Sequence, residues 1–206
     1  MPKCAKCGIY ACHKGELDKL PKNCPITGNA EIFDKATAFY KEDPLQIACR
    51  SARVESAGYT KWPRIREIME FAKSCGFKKL GLAFCVGLRK EAPEINRIFE
   101  ENGFEVESVA CKTGARPKAD LGIRDEEQVH PGKFEAMCNP AAQAMLLNKA
   151  NTDLNILLGL CVGHDTLFIK HSDAPITVCA VKDRVTGHNP LAAVYAAHYF
   201  KKRLKD

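Results

Sequence analysis

DLNILLGLC, residues 153–161, decides the fold. Its apolar side chains run on without the polar alternation of a strand that faces water on one side, and the run is short. It reads as a strand buried on both faces, the kind that parallel sheets contain. Three further stretches read as strands around it: KKLGLAFC at 78–85, FEVESVAC at 104–111, and the segment from Pro175 to Val181. Helical patterns lie between them. Ala92 to Asn102 places Ile95, Ile98 and Phe99 on one face, with Gly103 as its stop; Asn139-Pro140 opens another helix by the cap-then-proline rule; His164 to His171 forms a short third. This alternation predicts an α/β fold: a mostly parallel, Rossmann-like sheet of about four strands with helices on both faces.

Outward from this block, residues 29–76 read as a helical portion. Asn29 can cap a helix carrying Ile32, Phe33, Ala36, Phe39 and Tyr40 on one face, and Pro44 can begin a second with Leu45, Ala48, Cys49 and Ala52 inward. A third runs from Pro63 to Gly76, with Ile65, Ile68, Met69, Ala72 and Cys75 at helical spacing. Before it, Trp62 is expected to pack into the core beside a Glu55–Arg64 pair. Residues 112–134 are polar and rich in turn formers, an excursion over the surface. Asn189-Pro190 opens the last helix, with Leu191, Val194, Tyr195 and His198. Residues 1–28 lack periodicity. The chain therefore divides into a cysteine-rich metal-binding segment, 1–28, and an α/β domain, 29–206, whose first part, 29–76, is helical.

The 206 residues are 46% hydrophobic, enough for one substantial core. No apolar run approaches membrane-spanning length, and Met1-Pro2-Lys3-Cys4 does not resemble a secretory leader, so a cytoplasmic protein is expected. Net charge is +6, from 31 basic and 25 acidic residues. The one dense basic cluster, Lys201, Lys202, Arg203 and Lys205, suits a helix end better than a nucleic-acid patch, because no aromatic residues interleave with it. Eleven cysteines, an odd and clustered set, point to thiolate–metal chemistry in a reducing compartment rather than to disulfides.

Two groups of cysteines stand out. Cys4, Cys7, Cys12 and Cys24 fall within the first two dozen residues and can supply a tetrahedral set, the Cys4-x-x-Cys7 pair reaching one ion through a tight turn. Lys3, Lys6 and Gly8 suit that turn, and His13 could replace one cysteine. The segment holds too few apolar residues to order itself, so metal binding would supply folding energy. One Cys-x-x-Cys knuckle is as compatible with iron–sulfur as with zinc. The second group is dispersed. Cys85, Cys111 and Cys161 each fall at the carboxyl end of a predicted strand, and Cys138 precedes the Asn139-Pro140 helix start. In open parallel sheets those ends line one crevice. Cys-Val-Gly recurs at residues 85–87 and 161–163, each time after a strand, where glycine lets the backbone approach closely. Cys49, Cys75 and Cys179 read as core. His164, Asp165, Lys182, Asp183, Arg184 and His188 gather at the same edge as candidates for acid–base work or cluster tuning, or as loop caps and surface ion pairs.

Several of these motifs together are familiar: Cys4-Ala5-Lys6-Cys7, Phe84-Cys85-Val86-Gly87-Leu88, Cys138-Asn139-Pro140, Gly159 through Asp165, Lys182-Asp183-Arg184 and Gly187-His188-Asn189-Pro190. The chain resembles, over nearly its whole length, a prokaryotic family of metal-binding proteins catalogued as domain of unknown function 1847. The resemblance implies metal binding and supplies no reaction.

Three functions compete on these residues. The first is an iron–sulfur protein for redox or small-molecule handling, with a [4Fe–4S] cluster on Cys85, Cys111, Cys138 and Cys161, a second thiolate site at the amino terminus, and an electron-transfer protein or small molecule as partner. The second is a zinc-stabilised enzyme with Cys85 or Cys161 as nucleophile near His164 or His188, oriented by Asp165 or Asp183. The third is a zinc-knuckle module for nucleic acid or protein.

Overall fold

A computed structural model of the chain describes residues 4–205; Met1, Pro2 and Lys3, with the leader reading and the turn role given to Lys3, lie outside them. Internal contacts divide the chain after Arg53 into two units.

The second unit holds the sheet. Four strands, β1 (Lys79–Phe84), β2 (Glu105–Ala110), β3 (Leu154–Leu158) and β4 (Ile176–Ala180), pair in the order β2-β1-β3-β4, all parallel. The α/β class expected from the alternation is what forms. Each strand lies inside its predicted stretch, trimmed by a residue or more at the ends, where ladder hydrogen bonds give way to loops. All five residues of β3 are buried, as its unbroken apolar run requires.

Helices α3 (Arg64–Cys75), α4 (Glu91–Glu101), α5 (Pro140–Lys149) and α6 (His164–His171) flank the sheet. Side chains alternate across each strand, so one face carries Leu80, Leu82, Leu154, Ile156 and Leu158 against Ile68, Met69 and Ala72 of α3 and Ala92, Ile95 and Phe99 of α4. The other face carries Ala83 and Leu157 against Ala144 and Leu147 of α5 and Phe168 of α6, and Cys85, Cys111 and Leu160 continue that cluster past the strand ends. Gly76 ends α3 in the left-handed conformation at φ 74°, its N–H on the Ala72 and Lys73 carbonyls. Asn139 caps α5 by accepting from the Ala142 N–H at 3.1 Å. Cys179 packs at the margin of the first core, and Cys49 and Cys75 are half-buried.

Some expectations change. Arg64 does not pair with Glu55. It donates to the Val178 carbonyl at 3.1 Å and the Thr177 hydroxyl at 2.8 Å, covering the edge strand β4, which would otherwise leave backbone groups open. Trp62 is only half-buried; it lies against Gly58, with the Arg66 guanidinium 5.4 Å from its ring centroid. The last helix is two, α7 (Leu191–Tyr195) and α8 (Ala197–Phe200), broken where Ala196 leaves helical geometry.

In the first unit, α1 (Ala30–Phe39) begins after Asn29 as expected, although the Asn29 amide bonds back to the Pro25 carbonyl rather than capping the helix. The helix α2 (Glu42–Gly58) starts two residues before Pro44 and runs past the unit boundary. The inward faces assigned to both do not form a core. Ile32, Phe33, Phe39, Tyr40 and Leu45 are exposed, and Ala11 is the one fully buried residue among those described up to Arg53. So short a stretch has too little apolar surface to close around itself.

Gly81 is the tightest point of the sheet. A Cβ there would stand 1.9 Å from Asn155 Oδ1 and 2.9 Å from Leu147 Cδ1. Asn155 cannot yield cheaply, since its amide is fully buried and bonded to Thr152 and Ser172 at 2.8 Å each. Gly81→Ala is therefore expected to destabilise the second unit by about 1–3 kcal/mol, read from the midpoint of urea denaturation; an unchanged midpoint would show that the strand has slack there.

Candidate functional site

The strand order fixes where a site can lie. The chain crosses from β1 to β2 on one side, then places β3 on the other side of β1. Such a switch point opens a crevice between the loops that follow the two central strands. Cys85 directly follows β1, Cys111 directly follows β2, and Cys161 is the third residue beyond β3. The ladder continues into these loops. The Cys85 N–H donates to the Leu158 carbonyl at 3.0 Å, and the Cys111 N–H to the Phe84 carbonyl at 2.9 Å. The Asn139 N–H then donates to the Cys111 carbonyl at 2.7 Å, which draws Cys138, just beyond the 112–134 excursion, to the same rim.

The sulfurs form a chain of contacts. Cys111 lies between Cys85 and Cys138, 3.8 Å from the Cys138 sulfur. Backbone amides point at two of them: Gly87 N–H to Cys85 Sγ at 3.4 Å, and Val86 N–H to Cys111 Sγ at 3.3 Å. Cys161 Sγ accepts from the Arg184 guanidinium at 3.2 Å. Contact with Cys111, helped by the Gly87 amide and the Lys182 ammonium, brings the Cys85 thiol down to about 5. Contact with Cys111, helped by Lys112 and His164, brings Cys138 down to about 5 as well. The proton stays on Cys111, whose thiol is pushed up by its two sulfur neighbours and by burial. The Arg184 guanidinium is pushed up by its bond to Cys161, with smaller contributions from Cys85 and Cys138.

The polar candidates separate into two groups. Lys182 and Arg184 meet the thiols, and His164 acts on Cys138 through its charge alone. Asp183 instead accepts from the Val185 and Thr186 N–H groups at 2.9 and 3.0 Å, closing its own turn, and its carboxyl is held below the usual range chiefly by Thr186. Asp165 accepts from the Thr166 N–H at 2.8 Å in the first turn of α6. His188 Nδ1 accepts from the Asp183 N–H at 3.2 Å. Asp183 and His188 thus bond within the loop after β4, and Asp165 within the first turn of α6. Two residues that the sequence reading passed over also contribute. Lys112 stands beside Cys138 and donates to the Ala136 carbonyl. Gln143, fully buried, donates to the Phe84 and Val109 carbonyls at 3.3 and 2.7 Å, just behind Cys85 and Cys111. A glutamine on the apolar side of PAAQAMLL is the signal that could have found it.

The amino-terminal cysteines form a second place of interest, within the first unit. Cys4, Cys7, Cys12 and Cys24 all line one cavity of about 340 Å³. Residues Cys4–Lys6 make a single tight turn, closed by the Cys7 N–H on the Cys4 carbonyl at 3.0 Å. The Tyr10 N–H, at 3.5 Å, and the Ile9 N–H then point at Cys7 Sγ and pull its thiol below the ordinary value. His13 lies in the next turn and does not line the cavity.

Both donor sets suit soft metals: thiols in fours, with backbone N–H groups on sulfur. Among the described residues, however, no three His, Cys, Asp or Glu side chains stand at the spacing of a single-ion site. Of the sheet-edge thiols, Cys85, Cys111 and Cys138 are in contact through Cys111, and Cys161 meets Arg184.

Fold and site together define a parallel α/β protein with a cysteine-lined crevice at its switch point. The chain belongs to the family described as "Protein of unknown function (DUF1847)", which matches residues 24–179 and so includes all four sheet-edge cysteines. It is also 42% identical over 203 residues to an uncharacterised protein of Methanocaldococcus jannaschii, with 98% of each chain covered. No helix among the described residues is long and apolar enough to cross a membrane.

The titration order predicts selective chemistry in reduced, metal-free protein. Cys138 is half-buried and Cys85 only 5% exposed, so Cys138 should be the first of the set to react with iodoacetamide. Its modification is expected at pH 6, falling away as pH drops through about 5, where the thiolate is protonated. Peptide mass spectrometry reads this; modification of Cys111 before Cys138 would contradict the order.

Proposed function

We propose that this is a cytoplasmic metal–thiolate protein for redox or small-molecule chemistry. Cys85, Cys111, Cys138 and Cys161 hold a [4Fe–4S]-type cluster, and Cys4, Cys7, Cys12 and Cys24 hold a second site of iron–sulfur or zinc. The observation that carries the reading is the arrival of four cysteines, from three separate connections, at one crevice. Three of the sulfurs already stand in a chain of contacts, Cys85 to Cys111 to Cys138, with Cys111 and Cys138 3.8 Å apart, so they would have to spread to take up a polynuclear group. Such a group supplies one-electron transfer or Lewis acidity when bound. The chain's own contribution is to hold the thiols in place through the parallel ladder, and to stabilise negative charge with the Gly87 and Val86 amides, Lys182 and Arg184. Burial of Cys85 and Cys111 limits access of water from below.

A second reading, a zinc-stabilised enzyme with Cys161 as nucleophile, is favoured by the guanidinium at 3.2 Å from that sulfur.

Anaerobic purification with iron, sulfide and zinc analysis separates the two. The leading reading expects roughly four iron and four sulfide per sheet-edge site, lost in Cys85→Ser and Cys161→Ser while Cys4→Ser retains them. A colourless protein without iron or sulfide after anaerobic reconstitution would sink it, and zinc alone with selective Cys161 alkylation would favour the enzyme. Chelation should separately loosen the first unit, whose only fully buried described residue is Ala11, so limited proteolysis should cut before Arg53 while the second unit stays intact.

A further inference from the structure

We infer that the sheet edge also carries a subsite for a small oxyanion, a carboxylate or phosphate group held by Lys182 and Arg184 over the thiols. This rests on the proposed metal–thiolate reading, because it treats the thiols as ligands of a metal group and leaves these two cations with donors to spare.

Lys182 crosses the crevice. Its backbone is tied to the exit of β3 by its N–H on the Leu160 carbonyl at 3.3 Å. Its ammonium lies so close to the opposite loop that a Cβ on Gly87 would stand 3.1 Å from Nζ, and one on Gly159 3.8 Å. Gly87 thus keeps open the slot that the lysine fills, while Gly159 makes room for Leu88, whose Cδ1 would lie 2.3 Å from a Cβ there. The ammonium stands at the switch point itself, where open parallel sheets bind ligands.

The cations there lack carboxylate partners. Among the described residues, the ion pairs are made by Lys19, Arg64, Arg66, Lys79, Arg97, Lys118 and Arg124, and none involves Lys112, Lys182 or Arg184. Asp183, between Lys182 and Arg184 in sequence, and Asp165, in the first turn of α6, are turned to backbone amides of their own turns. Lys112 is engaged with the Ala136 carbonyl. Lys182 and Arg184 differ from it. An ammonium has three donors and a guanidinium five, and Arg184 commits one nitrogen to Cys161. Cys85 and Cys111 already receive backbone N–H groups. Lys182 spends one donor on Cys85; the donors that remain on Lys182 and Arg184 have no assigned acceptor, and Arg184 is exposed. A planar fork beside a point charge is the arrangement that grips an oxyanion. A ligand held so would present the rest of its body to the metal–thiolate group.

The test uses full-length, metal-loaded protein whose metal content is measured first. Inorganic phosphate and acetate are titrated separately by calorimetry at low ionic strength; the tighter of the two identifies the headgroup class. Saturable binding at one site is expected, with Kd in about the millimolar range or tighter. Lys182→Met should weaken it about tenfold or more, with binding expressed per metal-loaded chain because Lys182 also meets Cys85, and Arg184→Lys, which keeps the charge and loses the fork, should weaken it less. The exposed Lys170→Met serves as the control and should change nothing. Absence of saturable binding, or equal binding in wild type, Lys182→Met and the control, overturns the subsite. Absence of metal in the same sample overturns the metal reading instead, so the two failures are read independently. Circular dichroism confirms that each variant is folded, and Lys182→Gln replaces any that is not.

Discussion

The parallel ladder between β1 and β3 is the constraint on which the rest depends. Because both strands run the same way, their carboxyl ends open onto one edge. Because β2 lies beyond β1 and β4 beyond β3, the connections leave that edge in opposite directions and a crevice remains between them. Cys85 and Cys161 sit on its two sides. Hydrogen bonds of the ladder reach past the strands to Cys85 and Cys111, so the sulfurs are positioned by the stiffest part of the fold rather than by mobile loops. Gln143 adds to this from below, joining the carbonyls behind two of the cysteines through one buried amide.

Electrostatics at the edge follow from that geometry. Thiols brought this close cannot all ionise without compensation, so one keeps its proton while its neighbours lose theirs. Amides and cations supply the compensation, and the acids nearby are bound to their own turns. The edge is thus built to hold negative charge, whichever group brings it. The first unit solves a different problem. It has almost no buried apolar surface, and its four cysteines line one cavity instead. The metal proposed for that cavity would supply the cross-link that so small a core does not.

Much of the fold was legible because the strands are buried on both faces. DLNILLGLC has no polar face to disguise it, and the Asn139-Pro140 start and the Gly76 stop are chemical signals that act locally. The strand-end position of Cys85, Cys111 and Cys161 followed from the same reading. What failed to show was anything set by contacts distant in sequence. Arg64 found β4 rather than Glu55, more than a hundred positions downstream. The apolar faces of α1 and α2 looked like core because periodicity marks a face without saying what covers it. For Asp183 and His188 the sequence left loop cap and acid–base group side by side, because both use the same side chains, and the structure shows their bonds within the loop.

The sequence by itself determined the class of fold, the order of its elements and the two groups of cysteines, since these rest on local periodicity, caps and spacing. Tertiary structure alone decided the order of strands in the sheet, and with it the crevice. It decided that Cys111 stands between Cys85 and Cys138, that Lys182 and Arg184 turn toward the thiols while Asp183 between them turns away, and that Lys112 and Gln143 support the edge. The physical reason is the same in each case. Charge, hydrogen bonding and burial act over a few ångströms in space, and only the folded chain sets which residues are that close.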